Sequence, residues 1–209
     1  MPGSGTYGME AVARQFNTTS NVIVLRNGFF SFRWTDIFDT CKIMQNNTVL
    51  NAQTTDAHVQ PQMAPRHVSE VLGVVRAQKP AVFFCPHVET STGILLTDEY
   101  IKTVAAEVHL AGGLFVLDGV ASGTIWVDMK ALGVDVYITA PQKGWTGPAG
   151  VALIMLSERA TEKLNSTSSD SLCLSLNRWD NIMKAYEAGG HAYHTTMPTE
   201  AIRDFHTIV

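Results

Sequence analysis

The chain has 209 residues, of which 45% are hydrophobic and 16% are charged, so it is long enough to bury one sizeable core. Its net charge of −4 argues against nucleic acids and anionic membranes as partners, and it lacks the run of about eighteen apolar residues that a membrane span needs. Three widely spaced cysteines and no charged-then-apolar leader argue against a disulfide framework, a zinc site and secretion, and predict a soluble cytoplasmic protein that binds metabolites.

Short apolar runs alternate with amphipathic segments of helical length, a pattern typical of repeated β–α–β units and a parallel sheet. The predicted strands are Val22–Leu25, Val49–Asn51, Val82–Cys85, Leu114–Leu117, Val136–Thr139 and Val151–Met155. The predicted helices are Tyr7–Phe16, Ser31–Met44, Pro65–Gln78, Asp98–Ala111, Glu158–Leu164, Leu176–Ala188 and one that begins at Pro198. The polar stretch Asn165–Ser171 predicts a surface loop. We therefore expect an α/β fold.

The segment Gly3–Gly8 reads Gly-Ser-Gly-Thr-Tyr-Gly, which matches the GxGxxG pattern of dinucleotide-binding folds. That pattern has physical meaning only after a strand, and here it begins too early for one. The next strand leads into Arg26 and Asn27 rather than into an acid for the ribose hydroxyls. A nicotinamide site, with Arg26 facing a 2′-phosphate, stays open as an alternative. In either case, a glycine-rich turn that leads into a helix favours a phosphate group.

Two ionisable residues follow successive predicted strands. Asp118 ends the apolar run LFVL, and Lys143 follows the run VDVYIT in the glycine- and proline-rich loop QKGWTGPAG. Parallel strands end at one edge of a sheet, where open α/β folds bind ligands, so we expect both residues at that edge. In pyridoxal phosphate chemistry, a lysine amine forms a Schiff base with the cofactor and a carboxylate keeps the ring nitrogen protonated. A capping aspartate and a solvated lysine are the alternative.

Several motifs in fixed order support the first interpretation: GSGTYGMEA from Gly3, NGFFSFRW from Asn27, HVETSTG from His87, LDGVAS from Leu117, PQKGW from Pro141 and YHTT from Tyr193. Together they resemble the class V aminotransferases of pyridoxal-phosphate fold type I, in particular the alanine–glyoxylate and serine–pyruvate group. The resemblance covers essentially the whole chain. It implies the three-layer αβα large domain of that fold, with a mostly parallel sheet, over residues 1–209.

The resemblance also implies a site for pyridoxal 5′-phosphate. By this similarity Lys143 is the Schiff-base lysine and Asp118 is the partner of the pyridine nitrogen. Ser4, Gly5 and Thr6 match the phosphate-binding turn. No metal is implied.

Further residues of these motifs match positions around the cofactor. Gln142 matches the polar residue before the lysine, and Phe30 matches the aromatic residue that stacks on the cofactor ring. Taken without the family, Phe30 is a core aromatic residue at a strand-to-helix turn. Thr90 matches a hydroxyl that bonds the cofactor oxygen, whereas we expect Glu89 to be a buried structural carboxylate and His87 a strand-end residue with local partners.

Tyr193 and Thr196 match residues that reach across a two-fold interface to the neighbouring subunit's cofactor phosphate, which implies a homodimer. The implied reaction is a transamination between a small amino acid and a 2-oxo acid such as glyoxylate or pyruvate. In it, the amino acid displaces Lys143 from the cofactor and the freed amine moves a proton.

The chain departs from the family pattern at both ends. It starts at the glycine turn, so we expect the family's N-terminal arm and first edge strand to be absent and Val151–Met155 to have an open edge. It stops at Val209, before the small domain that carries the family's carboxylate-binding arginine, so it looks like a fragment. A non-catalytic relative that keeps cofactor binding or dimerisation therefore stays open. So does a lyase or desulfurase of the same fold, although Gln142 and Phe30 stand where a desulfurase usually has histidines.

Overall fold

The computed structural model describes all of residues 1–209 and shows a six-stranded central sheet with helices on both faces. The strands are β1 (Pro2–Gly3), β2 (Val22–Arg26), β3 (Asn47–Asn51), β4 (Gln53–Thr54), β5 (Met63–Ala64), β6 (Val82–Pro86), β7 (Val88–Glu89), β8 (Ile94–Leu95), β9 (Leu114–Asp118), β10 (Val136–Thr139), β11 (Gly150–Val151) and β12 (Leu153–Leu156). The helices are α1 (Gly5–Gln15), α2 (Phe29–Cys41), α3 (Val68–Gln78), α4 (Asp98–Leu110), α5 (Met129–Leu132), α6 (Glu158–Asn165), α7 (Leu176–Glu187) and α8 (Thr199–His206). None of these helices is both long and apolar enough to span a bilayer.

The central sheet has the strand order β12-β10-β9-β6-β2-β3. The five strands from β10 to β3 are parallel, and only β12 runs antiparallel, against β10. Asp118, the last residue of β9, lies in register with Pro86 at the end of β6. The loops that follow β6, β9 and β10 therefore leave the sheet at the same edge. The predicted, mostly parallel sheet is confirmed.

Alternating side chains of the buried strands fill two separate cores. In β2, Val22 and Val24 point to one core and Ile23 and Leu25 to the other, and all four are fully buried. Helices α1, α2, α6 and α7 cover the first core, and α3, α4 and α5 cover the second. Because both faces are covered, the strands are continuously apolar rather than alternating. The predicted three-layer αβα arrangement is confirmed.

The predicted strand Val151–Met155 is wrong as one element, because the chain changes strand partners at Ala152. Gly150–Val151 pairs with Pro2–Gly3, whereas Leu153–Leu156 pairs with β10. Between them, the Ala152 backbone exchanges two hydrogen bonds of 2.9 Å with Met1. A two-residue strand therefore leads into the glycine turn and pairs with Gly150–Val151. Leu153–Leu156 remains an edge strand of the central sheet, as expected.

Several helix boundaries also differ from the predictions, three of them by two residues or more with a local cause. Helix α2 ends at Cys41 rather than Met44 because Lys42 adopts a left-handed conformation, with φ of 56°, which a right-handed helix cannot contain. Helix α3 begins at Val68 instead of Pro65, after His67, whose side chain accepts a hydrogen bond from the Ser69 N–H. Helix α1 begins at Gly5, two residues before the predicted Tyr7, and this places its first turn inside the glycine-rich motif.

Candidate cofactor site

A cavity of about 220 Å³ lies where the loops after β6, β9 and β10 meet the first turn of α1. Eight of the ten residues that the sequence predicts for the site line it: Ser4, Gly5, Thr6, Phe30, Thr90, Asp118, Gln142 and Lys143. The structure adds five residues that lie in the same motifs but were not predicted for the site: Met9, Arg33, Val88, Val120 and Ala121. No group of three or more histidine, cysteine or acidic side chains is placed to hold a metal ion.

The first turn of α1 forms one wall of the cavity. Ser4 precedes the helix in an extended conformation, and the first helical hydrogen bond runs from the Gly8 N–H to the Ser4 carbonyl at 3.1 Å. The N–H groups of Gly5 and Thr6 therefore have no acceptor within the helix. A Cβ atom on Gly5 would stand 2.4 Å from Val120, so only glycine allows this close approach. The wall can bind an anion through these N–H groups and the helix dipole.

Asp118 forms the floor of the cavity at the end of β9. Its Oδ1 accepts a hydrogen bond from the Val120 N–H at 3.0 Å, and Oδ2 has no partner within the protein. Burial raises the pKa of the Asp118 carboxyl to about 6, helped by the nearby charge of Glu89. The Val120 N–H and the positive charges of Arg33 and Lys143 oppose this rise in pKa. The site thus holds a buried carboxylate that would be stabilised by a cationic partner.

Two backbone hydrogen bonds hold the loop that carries Lys143. The Lys143 carbonyl accepts from the Thr146 N–H at 3.1 Å, and the Pro141 carbonyl accepts from the Gly147 N–H at 3.0 Å. The lysine side chain is exposed, so its amine is open to reagents that enter the cavity. Beside it, the Oε1 atom of Gln142 is buried without a hydrogen-bond partner, which is costly for a polar atom unless a ligand or water completes it.

Glu89 fixes the turn that presents Phe30. Its fully buried carboxylate accepts hydrogen bonds from the Ser31 hydroxyl at 2.7 Å, the Ser31 N–H at 2.9 Å and the Phe30 N–H at 3.1 Å. A further bond comes from the Ser91 hydroxyl at 2.8 Å. Burial alone would raise the pKa of Glu89, but these hydrogen bonds together leave it below its ordinary value. The expected structural role of Glu89 is confirmed.

His87 has local partners, as expected. The ring Nδ1 atom of His87 lies 2.7 Å from the buried Ser122 hydroxyl, and the backbone N–H of His87 donates to the Asp118 carbonyl at 2.8 Å. Burial lowers the pKa of His87, against the opposing effect of Asp98. His87 therefore buttresses the strand end that carries Asp118 and does not line the cavity.

Arg33 is the charged cavity residue that the sequence did not suggest. It lies on α2 three residues after Phe30, so the two side chains share one side of the helix. Its Nη1 donates to the Thr6 hydroxyl oxygen at 2.9 Å. The available signals were this spacing from the predicted aromatic residue and the position of Arg33 within the motif NGFFSFRW.

The sequence model that describes the family "Aminotransferase class-V" matches residues 9–202 of this chain. The chain belongs to the class V aminotransferase family. This membership implies pyridoxal phosphate as the family's cofactor.

Two curated relatives illustrate the similarity. Alanine–glyoxylate aminotransferase 1 of Saccharomyces cerevisiae is 30% identical over 97% of this chain and 52% of its own length. Serine–glyoxylate aminotransferase of Hyphomicrobium methylovorum is 26% identical over 99% of this chain and 49% of its own length. The chain thus spans about half the length of the curated relatives it matches.

A solved structure confirms the fold of this class V family member. The crystal structure of alanine–glyoxylate aminotransferase from Nostoc sp. superposes with a TM-score of 0.81 at 22% identity. The superposition covers 99% of this chain and 51% of that one. At this level of identity the likeness establishes fold type I alone.

Tyr193 and Thr196 do not line the cavity of this class V chain; both are exposed. Their segment is held by His194, whose ring packs edge-on against Trp179 with centroids 5.1 Å apart and whose Nε2 lies 2.9 Å from the Leu172 carbonyl. With His194 turned inward, Tyr193 points outward and 80% of its surface is accessible. The structure therefore brings eight predicted site residues together and leaves these two at the surface.

Proposed function

We propose that residues 1–209 form the cofactor-binding domain of a pyridoxal-phosphate-dependent aminotransferase. It would move an amino group from a small amino acid, such as alanine or serine, to glyoxylate or pyruvate. The observation that carries the proposal is the cavity itself. There Asp118 at the end of β9 and Lys143 after the adjacent parallel strand β10 line the same space as the N-terminus of α1. The names of the two curated relatives support glyoxylate as an acceptor.

The residues present fit this cofactor. The unpaired N–H groups of Gly5 and Thr6 suit its phosphate, and the flat face of Phe30 suits its ring. Asp118 offers the free Oδ2 to a protonated ring nitrogen, and such a cation would relieve the burial that raises its pKa. The buried, unpartnered Oε1 of Gln142 can accept a hydrogen bond from a ligand that fills the cavity.

Bound pyridoxal phosphate would supply an aldehyde that reacts with amines and a ring that accepts electrons from the substrate. In our proposal Lys143 Nζ would hold the cofactor through this aldehyde, and the same amine would move a proton at the substrate Cα. Asp118 Oδ2 would keep a proton on the ring nitrogen. Phe30 would shield the ring from water, and the Thr90 hydroxyl would donate a hydrogen bond to a cofactor oxygen.

We further propose that the active form is a homodimer. The exposed positions of Tyr193 and Thr196 are compatible with contacts to a neighbouring subunit's cofactor phosphate. Size-exclusion chromatography with light scattering tests this, with and without cofactor. A monomer at micromolar concentration under both conditions would contradict the dimer, without affecting the assignment of Lys143.

Cofactor capture tests the central proposal. Pyridoxal 5′-phosphate is added to the chain and the visible absorption is recorded before and after borohydride reduction. We expect a band that reduction traps on Lys143, located by peptide mass spectrometry. Lys143→Ala should abolish it, whereas Lys102→Ala, which removes an exposed lysine of α4, should not. A folded protein without this band would overturn the proposal and favour the non-catalytic alternative.

Amino-group transfer tests the substrate class. Alanine or serine is added to the cofactor-loaded chain, and we expect the visible band to disappear with formation of the corresponding 2-oxo acid. Glyoxylate or pyruvate should then restore it. If the band persists with every small amino acid, the chain binds cofactor without transaminase activity, and the substrate part of the proposal fails alone.

A further inference from the structure

Three charged side chains line the cavity: Arg33, Asp118 and Lys143. The proposed function gives roles to Asp118 and Lys143 and leaves Arg33 without one. With Asp118 and Lys143 of opposite sign, Arg33 gives the cavity a net positive charge when all three are ionised. A ligand with a compensating negative charge, such as a phosphate ester, is favoured by this balance.

Two contacts fix the position of the Arg33 guanidinium. Its Nη1 donates to Thr6 Oγ1 at 2.9 Å, and its central carbon lies 5.9 Å from the centre of the Phe30 ring. Such a distance lies within the range of cation–π attraction. Arg33 therefore connects the first turn of α1 with the aromatic residue on α2, both of which belong to the cavity.

The hydrogen bond to Thr6 has a directional consequence. A guanidinium can only donate hydrogen bonds, whereas a hydroxyl has one proton to donate and two lone pairs that accept. Thr6 Oγ1 must therefore accept from Arg33, and its own proton is free to point at another acceptor. An anion at the N-terminus of α1 is such an acceptor, because the unpaired N–H groups of Gly5 and Thr6 face it as well.

We propose that Arg33 is a positioning residue for the cofactor phosphate: it holds the Thr6 hydroxyl as a donor to the phosphate and adds positive charge beside it. This inference rests on the proposed function, since it concerns one end of the same cofactor. It predicts that Arg33 contributes to the recognition of the phosphate group and not to the recognition of the ring.

The test compares pyridoxamine 5′-phosphate with pyridoxamine, because neither has an aldehyde that Lys143 could capture. Affinities are measured by titration calorimetry or ligand fluorescence. Arg33→Met should weaken binding of the phosphate ester about 10- to 100-fold, because it removes a positive charge beside the phosphate and releases the Thr6 hydroxyl that donates to it. The affinity for pyridoxamine should change by less than about twofold. Arg33→Lys should recover part of the loss because it keeps the charge.

Thr6→Val shows whether Arg33 acts through the hydroxyl. If it does, the affinity of the double variant Arg33→Met/Thr6→Val for pyridoxamine 5′-phosphate falls by clearly less than the product of the two single fold-losses. Arg26→Met is a matched control, because Arg26 also donates to a threonine hydroxyl, that of Thr35 at 3.2 Å. Its guanidinium also lies over a phenylalanine ring, that of Phe32 at 4.3 Å, but it does not line this cavity.

Each outcome decides between the two proposals. Equal losses for both ligands, or independent effects of Arg33→Met and Thr6→Val, would show a merely structural arginine and overturn the inference while the proposed function stands. If the wild-type chain binds neither pyridoxamine 5′-phosphate nor pyridoxal 5′-phosphate, the proposed function fails and the inference fails with it. Should Arg33→Met not fold, Arg33→Lys and Thr6→Val give the same comparison.

Discussion

Gly123 and Gly144 pack backbone against backbone where the loop after β9 meets the loop after β10. A Cβ atom on Gly144 would stand 1.8 Å from the Cα atom of Gly123, a distance that no pair of carbon atoms adopts without a covalent bond. Gly123 itself has a φ of 63°, a left-handed conformation that favours glycine. Gly123 lies on the loop that follows Asp118, and Gly144 directly follows Lys143. This contact therefore sets the distance between the two proposed catalytic residues, Asp118 and Lys143.

Gly144→Ala should therefore displace the loop that carries Lys143 without removing any cavity side chain. We expect a folded protein whose rate of pyridoxal 5′-phosphate capture, followed by visible absorption, falls about 10- to 100-fold, since small displacements of reacting groups cost rate steeply. Gly73→Ala is the control, because a Cβ atom there meets nothing within 4 Å. It lies inside α3 and should stabilise the fold by about 0.5–1 kcal/mol. An unchanged capture rate in Gly144→Ala would show that this contact does not position Lys143.

Asp118 should lower the stability of the cofactor-free chain. Its pKa of about 6 in the folded protein lies above the ordinary value of 3.8, so the folded state binds its proton more tightly than the unfolded state. The Asp118 carboxyl therefore contributes most favourably to the free energy of unfolding below pH 3.8, where it is protonated in both states. This contribution is lost as pH rises through the folded pKa of about 6. Asp118→Asn removes this penalty and should raise the free energy of unfolding near neutral pH by about 1–3 kcal/mol.

Urea unfolding of wild type and Asp118→Asn across this pH range measures the effect. The difference in free energy should be small at about pH 4 and reach its full size above about pH 7. His87 and Glu89, whose pKa values are also shifted, titrate in both proteins and largely cancel in the difference. A difference that does not grow with pH would contradict the raised pKa of Asp118.

Glu89→Gln should destabilise the fold and loosen the turn that presents Phe30. The variant loses a charge that accepts four short hydrogen bonds from Phe30, Ser31 and Ser91. Because hydrogen bonds to a charged acceptor are the strong ones, we expect a loss of about 2–3 kcal/mol in the free energy of unfolding near pH 7. The lowered pKa of Glu89 means that this difference shrinks as pH falls through the folded pKa. Glu162→Gln, at an exposed position of α6, should change stability by less than about 0.5 kcal/mol.

The central strands could be predicted from the sequence because burial on both faces leaves a simple pattern. The run Val22–Leu25 is apolar at every position, and the structure divides these side chains between two cores. What the sequence could not show are conformations chosen by distant contacts. The left-handed Lys42 ends α2 inside a segment that still reads as helical, and the change of strand partner at Ala152 depends on Met1, far away in the chain.

The residues of the candidate site likewise divide into those that the sequence could predict and those that it could not. Asp118 and Lys143 could be found because each follows an apolar strand, and motif neighbours marked most of the other cavity residues. Arg33 was missed because its contact with Thr6 joins two helices, and a single sequence carries no signal for such a pair beyond the spacing from Phe30. The contact between Gly123 and Gly144 joins two loops, and it could not be predicted because a single sequence carries no signal for such a contact either. The proposed contacts of Tyr193 and Thr196 involve a second chain.

Asp135, at the opposite end of β10 from the loop of Lys143, offers a test that separates stability from cofactor capture. Its buried carboxylate accepts from the Ser157 hydroxyl at 2.9 Å and the Phe115 N–H at 2.8 Å, and it lies 2.8 Å from His109 Nε2. Asp135→Ala leaves a buried N–H without an acceptor and should cost about 3 kcal/mol in the free energy of unfolding.

The four residues of β10 place Asp135 about 13 Å or more from Lys143 along the strand, so the fraction of Asp135→Ala that folds should capture pyridoxal 5′-phosphate at the wild-type rate. Urea unfolding and the visible absorption band, measured on the same preparation, check both parts. The control is Asp170→Ala, which breaks a surface ion pair with Arg14 at 2.8 Å and should cost at most about 1 kcal/mol. A capture rate that falls together with stability in Asp135→Ala would mean that the two edges of the sheet are coupled, and that the site is not held by its local loop contacts alone.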